Sequence, residues 1–393
     1  MKNCVSLYLI FRYRLFGIIY NLLSIVNRFS IHKENKILIY DPDHDKHDNT
    51  GALYDYLVEN GYNQKYIIVH SCRNYKFLRT KAPKNVYFTG KILGIFHFFS
   101  SSFVYYRGST IRIIPSNKQK VIQMWHGSPC KGAPVVPAKK DWINPYYTGF
   151  FSASVNFNHI FEDIFSIPEE RMILCGHPRT DDLFKPSPDY DFGHYKKIVI
   201  WTPTFRKYKW QKYSTKPQLE HDDRLLPIIP TKDFKLVNEY LKKNSVKIVI
   251  KLHPMQSLEN YNLVEMDHFI FLSDIEFKKR GLELYRFMKQ CDAMITDYSS
   301  IYWDYMVLNR PIAFTEDDIE EYAVGRGFVM DDPEKYKPGP KLRSIADFYK
   351  FIDDLVEGID DYKEKRKKMN EYGNPVTDGH SCQRALECVG IFK

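Results

Sequence analysis

The sequence predicts an α/β protein built from two doubly wound parallel sheets, with a short apolar-basic helix in front of them. Three observations carry this expectation. Short runs such as KILIY (36–40) and KIVI (247–250) are apolar on successive residues, as strands covered on both faces must be. They alternate with stretches at helical spacing, the pattern of βαβ units. The series also breaks at a polar stretch, residues 185–195, and then starts again, which divides the chain into residues 1–30, 31–187 and 188–393. At 393 residues there is enough chain for two ordinary cores.

The first 30 residues form the helix. Between Val5 and Val26 they are strongly apolar, yet Arg12 and Arg14 lie inside the run. Two arginines cost roughly 5–7 kcal/mol at a bilayer centre, and about a dozen Leu, Ile, Phe and Val return roughly 4–7, so a span is near break-even. No small-residue cleavage site follows, which argues against a signal peptide. Two readings stand side by side: a helix lying on an anionic cytoplasmic leaflet through Lys2, Arg12, Arg14 and Arg28, or a first helix packed on the domain.

The expected strands of the first sheet are 36–40, 66–70, 86–88, 103–106, 120–124, 149–154 and 172–174, with a helix from Ala52 to near Gly61. Those of the second are 198–201, 247–250, 269–272, 293–296 and 312–314, and residues 207–224 read as an exposed loop. Two such sheets place a ligand in the crevice facing their strand carboxyl ends.

Residues that can do chemistry gather just past those ends. Strand 120–124 runs into Trp125-His126-Gly127, where an imidazole suits a general base or, equally, a structural loop contact. Arg206 follows strand 198–201 and suits bidentate phosphate contact, against the plain alternative of a surface arginine. His253 follows strand 247–250. Asp297-Tyr298-Ser299-Ser300 is a turn leading into a helix that starts at Ile301, so two hydroxyls stand at a helix N-terminus. Alone, the Ser299-Ser300 pair reads as an ordinary cap. Together with Arg206 and His253, from three strands of one sheet, it reads as a grip for a pyrophosphate. The Asp- and His-rich loop 41–48 has no calcium or zinc spacing, and Asp48-Asn49-Thr50 fits a helix cap.

Other classes lose support. No GxxxxGK[ST] occurs, so a P-loop NTPase is excluded, and no GxSxG elbow supports a serine hydrolase. The seven cysteines are scattered without a CxxC pair, against a disulfide framework or zinc site and in keeping with a reducing compartment. A net charge of +9 suits an acidic partner: nucleic acid, an anionic membrane or a phosphorylated substrate.

WHGSPCKG (125–132), GHPRTD (176–181), WTPTFR (201–206), KLHP (251–254), ITDYSSIYWDYMVLNRPIAF (295–314), DDIEEYAVGRGF (317–328) and Asp378-Gly379 with Arg384 occur in this order. From about Lys36 to its end the chain resembles the CDP-glycerol glycerophosphotransferases of the teichoic-acid type. The resemblance implies two facing Rossmann-like domains, the GT-B arrangement. It also implies a peripheral enzyme on the cytoplasmic face of the membrane that moves glycerol phosphate from the donor CDP-glycerol to a hydroxyl of a lipid-linked saccharide or polyol-phosphate polymer, for a wall polymer or a capsule. CMP is released, with no cofactor, no metal and no nucleic-acid partner. His126 would be the base, Arg206, His253, Ser299 and Ser300 would hold the donor, and Arg179 would support the crevice. Ser128-Pro129-Cys130 departs from the Thr-Pro-Leu common in the family. The short region ahead of residue 30 resembles a priming or capsule enzyme more than a long polymerase. Alternatives are a CDP-ribitol or other polyol phosphotransferase, a GT-B glycosyltransferase using a nucleotide sugar, and an inactive membrane scaffold.

Overall fold

The computed structural model describes residues 2–46, 48–130, 143–188, 190–204, 225–252, 266–325 and 327–393, with side chains from residue 16 onward except those of 274 and 325. It is an α/β structure with two sheets, every strand pair parallel. The chain divides into two compact units, and the division is not contiguous. The first holds Met1–His126, Pro137–Asp181 and Val376–Lys393, and the second holds Gly127–Val136 and Asp182–Pro375.

In the first unit the strands are β1 (Lys33–Asp41), β2 (Ile67–Cys72), β3 (Val86–Thr89), β4 (Ser101–Tyr106), β5 (Lys120–Gln123), β6 (Gly149–Ser152) and β7 (Met172–Leu174), in the spatial order β3-β2-β1-β4-β5-β6-β7. Ile37, Leu38 and Ile39 of the central strand are all 0% exposed, so side chains on both faces are covered. Burial of each stabilises by roughly 1.5–3 kcal/mol, which explains why consecutive rather than alternating apolar residues mark it. The second unit contains β8 (Lys197–Thr202), β9 (Val246–Lys251), β10 (Phe269–Leu272), β11 (Ala293–Thr296), β12 (Ile312–Thr315) and β13 (Lys341–Leu342), in the order β10-β9-β8-β11-β12-β13. Only β13 lay outside the sequence expectation. Two residues are too few to show a period.

Both orders reverse once. The chain goes outward from β1 to β3 and then crosses to the far side of β1 to lay down β4. It goes outward from β8 to β10 and crosses back to lay down β11. The pairs β1/β4 and β8/β11 are therefore topological switch points, where loops leaving adjacent strand ends part in opposite directions and open a crevice.

The opening helix α1 spans Lys2–Phe29. Among the described residues no helix is long and apolar enough to cross a membrane. The end of α1 is docked on its own unit: Ser24 Oγ accepts the Ile114 N–H (3.0 Å), and Asn27 Nδ2 donates to Gln119 Oε1 (2.7 Å) and the Ile114 carbonyl (3.0 Å). Its other face leaves Ile18, Leu22, Ile25 and Val26 more than half exposed, with Arg28 also exposed. The helix thus packs through its last turns while keeping a bare apolar stripe. Lys2, Arg12 and Arg14 lie outside the described side chains, as does the 207–224 loop.

Candidate active site at two switch points

The β1/β4 switch point of the first unit is a lattice of ion pairs. Helix α2 (Asp48–Glu59) follows β1 after the acidic loop. Asp48 accepts the N–H of the next residue, Asn49 (2.8 Å), but its carboxylate is mainly taken by two arginines. Arg107, just past β4, donates Nε to Asp48 Oδ2 at 2.6 Å, and Arg179 donates to Asp48 Oδ1 at 2.6 Å. The rest of the acidic loop is also paired: Asp41 with His44 Nδ1 (2.7 Å) and, more distantly, Arg107 (3.9 Å), Asp43 with Lys91 (3.1 Å), Asp45 with Arg73 (3.0 Å), and Lys46 with Asp55. These aspartates serve to staple the loop. His47 lies outside the described residues.

This lattice holds the segment that carries His126. Arg179 donates a second bond to the His126 carbonyl (2.7 Å), and Asn49 Nδ2 donates to the Trp125 carbonyl (2.9 Å). Asn49 Oδ1 accepts the Arg179 N–H (3.2 Å), so α2 and the 176–181 loop grip the same two peptides. Trp125 sits at φ 54°, a left-handed conformation that costs a bulky residue on the order of 1–3 kcal/mol. Gly127 follows at φ 147°. The Trp125 ring lies 3.9 Å from the His126 ring and edge-on to Phe165 at 4.5 Å. The outcome is an exposed imidazole on a rigid, strained base.

The remaining 176–181 residues are structural. His177 is 2% exposed, and burial pushes its imidazole down to about 3, the Arg179 charge adding to the effect and Asp48 opposing it. Asp181 accepts the N–H groups of Ser381 (2.9 Å) and Cys382 (2.7 Å), tying the helix Ser381–Glu387 to this unit. Arg384 pairs with Asp378 (2.8 Å) and donates to the Cys175 carbonyl (3.1 Å). The 378–384 motif is a clasp.

The β8/β11 switch point of the second unit is built differently. In register, Thr202 faces Thr296, and Thr202 Oγ1 donates to Thr296 Oγ1 (3.1 Å). Asp297, 0% exposed, accepts the Thr204 N–H (2.8 Å), the Thr204 hydroxyl (2.5 Å) and the Tyr298 N–H (2.6 Å). One buried carboxylate thereby fixes both loops that leave the reversal. Tyr298 is clamped from the next loop: its hydroxyl donates to Asp318 (2.7 Å), its ring stacks on Tyr322 at 3.8 Å, and Lys337 Nζ sits 4.8 Å over it. Lys337 pairs with Glu316 (2.8 Å), both fully buried. The 317–328 motif therefore holds the turn after β11. The next residues, Ser299 and Ser300, are half-buried, and Ser300 makes no side-chain cap bond to the helix Ile301–Tyr305. The capping role expected of the pair taken alone is not the one Ser300 plays.

Residues 127–130, which follow His126, are bound within this second unit: Trp303 Nε1 donates to the Pro129 carbonyl (3.0 Å) and Cys130 Sγ donates to the Tyr298 carbonyl (3.2 Å). Arg206 and His253 lie outside the described residues, two positions past Thr204 and directly after the buried Leu252. Asp48, Asn49, Arg107 and Asp297 were not singled out as site residues. Arg107 carries the usable signal, a cation just past a strand end.

Residues 22–390 match the family described as CDP-Glycerol:Poly(glycerophosphate) glycerophosphotransferase. Among curated relatives, the Teichoic acid poly(glycerol phosphate) polymerase of Bacillus spizizenii is 25% identical over 91% of this chain and 90% of its own length. The Teichoic acid glycerol-phosphate transferase of Staphylococcus aureus is 25% identical over 91% and 94%. The Teichoic acid ribitol-phosphate polymerase TarK of Staphylococcus aureus is 25% identical over 71% of this chain, which spans only 53% of that protein. Among solved structures, the Wall Teichoic Acid Polymerase TagF superposes with a TM-score of 0.69 at 20% identity, covering 96% of both chains. A variant of that polymerase soaked with CDPG gives 0.68.

Proposed function

The chain belongs to the CDP-glycerol:poly(glycerophosphate) glycerophosphotransferase family of transferases, and from that premise we propose that it transfers glycerol phosphate from CDP-glycerol to a hydroxyl of a lipid-linked saccharide or growing polyol-phosphate polymer, releasing CMP. The single observation that best supports this is the rigid mounting of His126 at a sheet reversal by Arg179 and Asn49.

In the proposed reaction the acceptor hydroxyl gives its proton to His126 as its oxygen attacks the β-phosphorus of the donor. A bond forms between that oxygen and phosphorus. The bond from phosphorus to the bridging oxygen breaks, and CMP leaves with the electron pair. Charge develops on the phosphoryl oxygens and the leaving phosphate. Arg206, protonated His253 and the Ser299-Ser300 turn would stabilise it by charge and hydrogen bonding. Asp297 would hold the turn and the start of the Arg206 loop in one geometry through Thr204 and Tyr298.

For the polyol, glycerol rests on the description of the family, since named glycerol-phosphate relatives (54–94% of their lengths) and ribitol-phosphate relatives (47–72%) both match. The exposed stripe of α1, flanked by Arg28, is proposed to rest on an anionic membrane surface. Replacing Ile18, Leu22 and Ile25 by Glu would then move the protein from the vesicle pellet to the supernatant, and an unchanged pellet would refute this placement.

The function is tested by following CMP release from CDP-glycerol, with CDP-ribitol and UDP-sugars alongside, using a lipid-linked disaccharide as acceptor. CMP from CDP-glycerol with label entering the lipid fraction is the expected result. Release from a UDP-sugar only would make the protein a glycosyltransferase, and nucleotide binding without turnover would make it a scaffold.

A further inference from the structure

The segment between β4 and β5 touches, within the first unit, the two features a lipid-linked acceptor must reach. Its first residue, Arg107, belongs to the lattice that carries His126. Further along, Ile114 binds α1 through Ser24 and Asn27. Between these points Gly108, Thr110 and Arg112, with Asn144, Tyr146 and Tyr147 from the stretch before β6, line an open cavity of about 470 Å³. That volume is in the range of small-molecule sites.

The floor of the cavity is built rather than accidental. Tyr147, 6% exposed, has its hydroxyl 2.7 Å from Thr110 Oγ1 and its ring edge-on to the buried Tyr106 at 6.2 Å. Asn144, 8% exposed, donates to the Phe165 carbonyl (3.2 Å) and accepts the Tyr146 N–H (3.0 Å), which fixes the backbone from which Tyr146 projects. Two groups on the wall remain uncommitted. Arg112 is exposed and has no carboxylate partner among the described residues, whereas Arg73, Arg107 and Arg179 each have one. Tyr146 is half-buried, with neither a ring partner nor a hydroxyl partner among the described residues. An unpaired guanidinium matches a phosphate in shape and charge. An open aromatic face next to Asn and Thr matches a sugar, which has an apolar face and a polar rim.

We propose that this cavity is the acceptor subsite, taking a phosphorylated saccharide with its phosphate on Arg112 and a sugar ring against Tyr146. The lipid then runs toward α1, and the reacting hydroxyl toward His126. This rests on the functional reading above and adds to it where the acceptor sits and the residues that select it.

The test compares wild type with Arg112→Ala, Arg112→Lys and Tyr146→Ala. The probes are an alkyl-diphosphate-linked disaccharide, the same disaccharide as a phosphate-free alkyl glycoside, and a short glycerol-phosphate oligomer, with Kd measured by calorimetry and KM by CMP release. Arg112→Ala weakens binding of a phosphate-bearing probe about tenfold or more, the scale of a lost charged hydrogen bond. Arg112→Lys recovers part of the loss. The phosphate-free glycoside and the KM for CDP-glycerol do not change with Arg112. Tyr146→Ala weakens both saccharide probes. A loss confined to the diphosphate probe makes the lipid linkage the ligand, and one confined to the oligomer makes it the polymer backbone. Equal binding of every probe by wild type and Arg112→Ala overturns the proposal, as does a matching rise in the CDP-glycerol KM. Failure of the functional reading looks different: wild type releases no CMP from CDP-glycerol, while the Kd comparison still reads out.

Discussion

The two switch points occupy equivalent places in two sheets of the same design, yet they are stabilised by opposite means. At β1/β4 the lattice is ionic: Asp48 sits between Arg107 and Arg179, and Arg179 reaches on to the His126 carbonyl. At β8/β11 the lattice is hydroxyl and amide, with Thr202, Thr204 and Thr296 around one carboxylate, Asp297. Under the proposed function the difference suits what each would present. A general base needs an imidazole held in place, and a charged lattice can do that without occupying its ring. An anion grip would need its cations free, and the carboxylate at the centre of this reversal, Asp297, is held by hydroxyl and amide groups.

The largest expected effect is on the first side. His126→Ala lowers kcat by about 10²- to 10⁴-fold, the usual share of a general base, in the CMP-release assay. An active variant would leave that lattice without a catalytic purpose.

Asp297→Ala removes the acceptor of the Thr204 N–H, the Thr204 hydroxyl and the Tyr298 N–H at the other reversal. It costs about 2–4 kcal/mol of folding stability, read as a lower urea midpoint. A midpoint equal to wild type would mean the neutral lattice does not depend on its carboxylate. Arg179→Lys keeps a charge near Asp48, but its shorter, non-planar head does not reproduce the placement of Nη1 between Asp48 and the His126 carbonyl. It reduces kcat by up to about 10²-fold through misplacement of the imidazole, with the CDP-glycerol KM unchanged. A rise in that KM alone would assign Arg179 to the donor side.

The smallest effect is a pH slope. His177 is held neutral, its imidazole at about 3 through burial and the Arg179 charge. The unfolded chain takes up a proton near 6.5 that the folded protein refuses until about 3. Stability therefore falls as pH drops through this window, by about 1.4 kcal/mol per pH unit. His177→Gln flattens the slope of urea midpoint against pH in that window, and an unchanged slope would locate the acid sensitivity elsewhere.

Nearly all the strands were legible because parallel strands covered on both faces are written as unbroken apolar runs, as at 36–40 and 247–250. The placement of His126 and Ser299 just past strand ends was legible because each follows such a run within three residues. The lattices were not. Asp48 meets Arg107 and Arg179 only because β1 and β4 become neighbours across the reversal, and nothing local in the sequence reports that. Asp181 binds the N–H groups of Ser381 and Cys382, bringing the chain from Val376 onward back to the first unit where the sequence pattern continued the second. Trp125 gives no warning of its left-handed backbone, since neither Gly nor Asn marks the position. Of the two readings of α1, packing on the domain is seen at Asn27, and the stripe bare at Leu22 is what the membrane proposal rests on.

The division of labour between the two reversals is tested most directly by measuring CDP-glycerol affinity by calorimetry for His126→Ala and for the double variant Ser299→Ala with Ser300→Ala. The account predicts wild-type affinity for the first, despite its slowed transfer, and about tenfold or greater loss for the second. Loss of donor affinity in His126→Ala together with full affinity in the serine variant would contradict it.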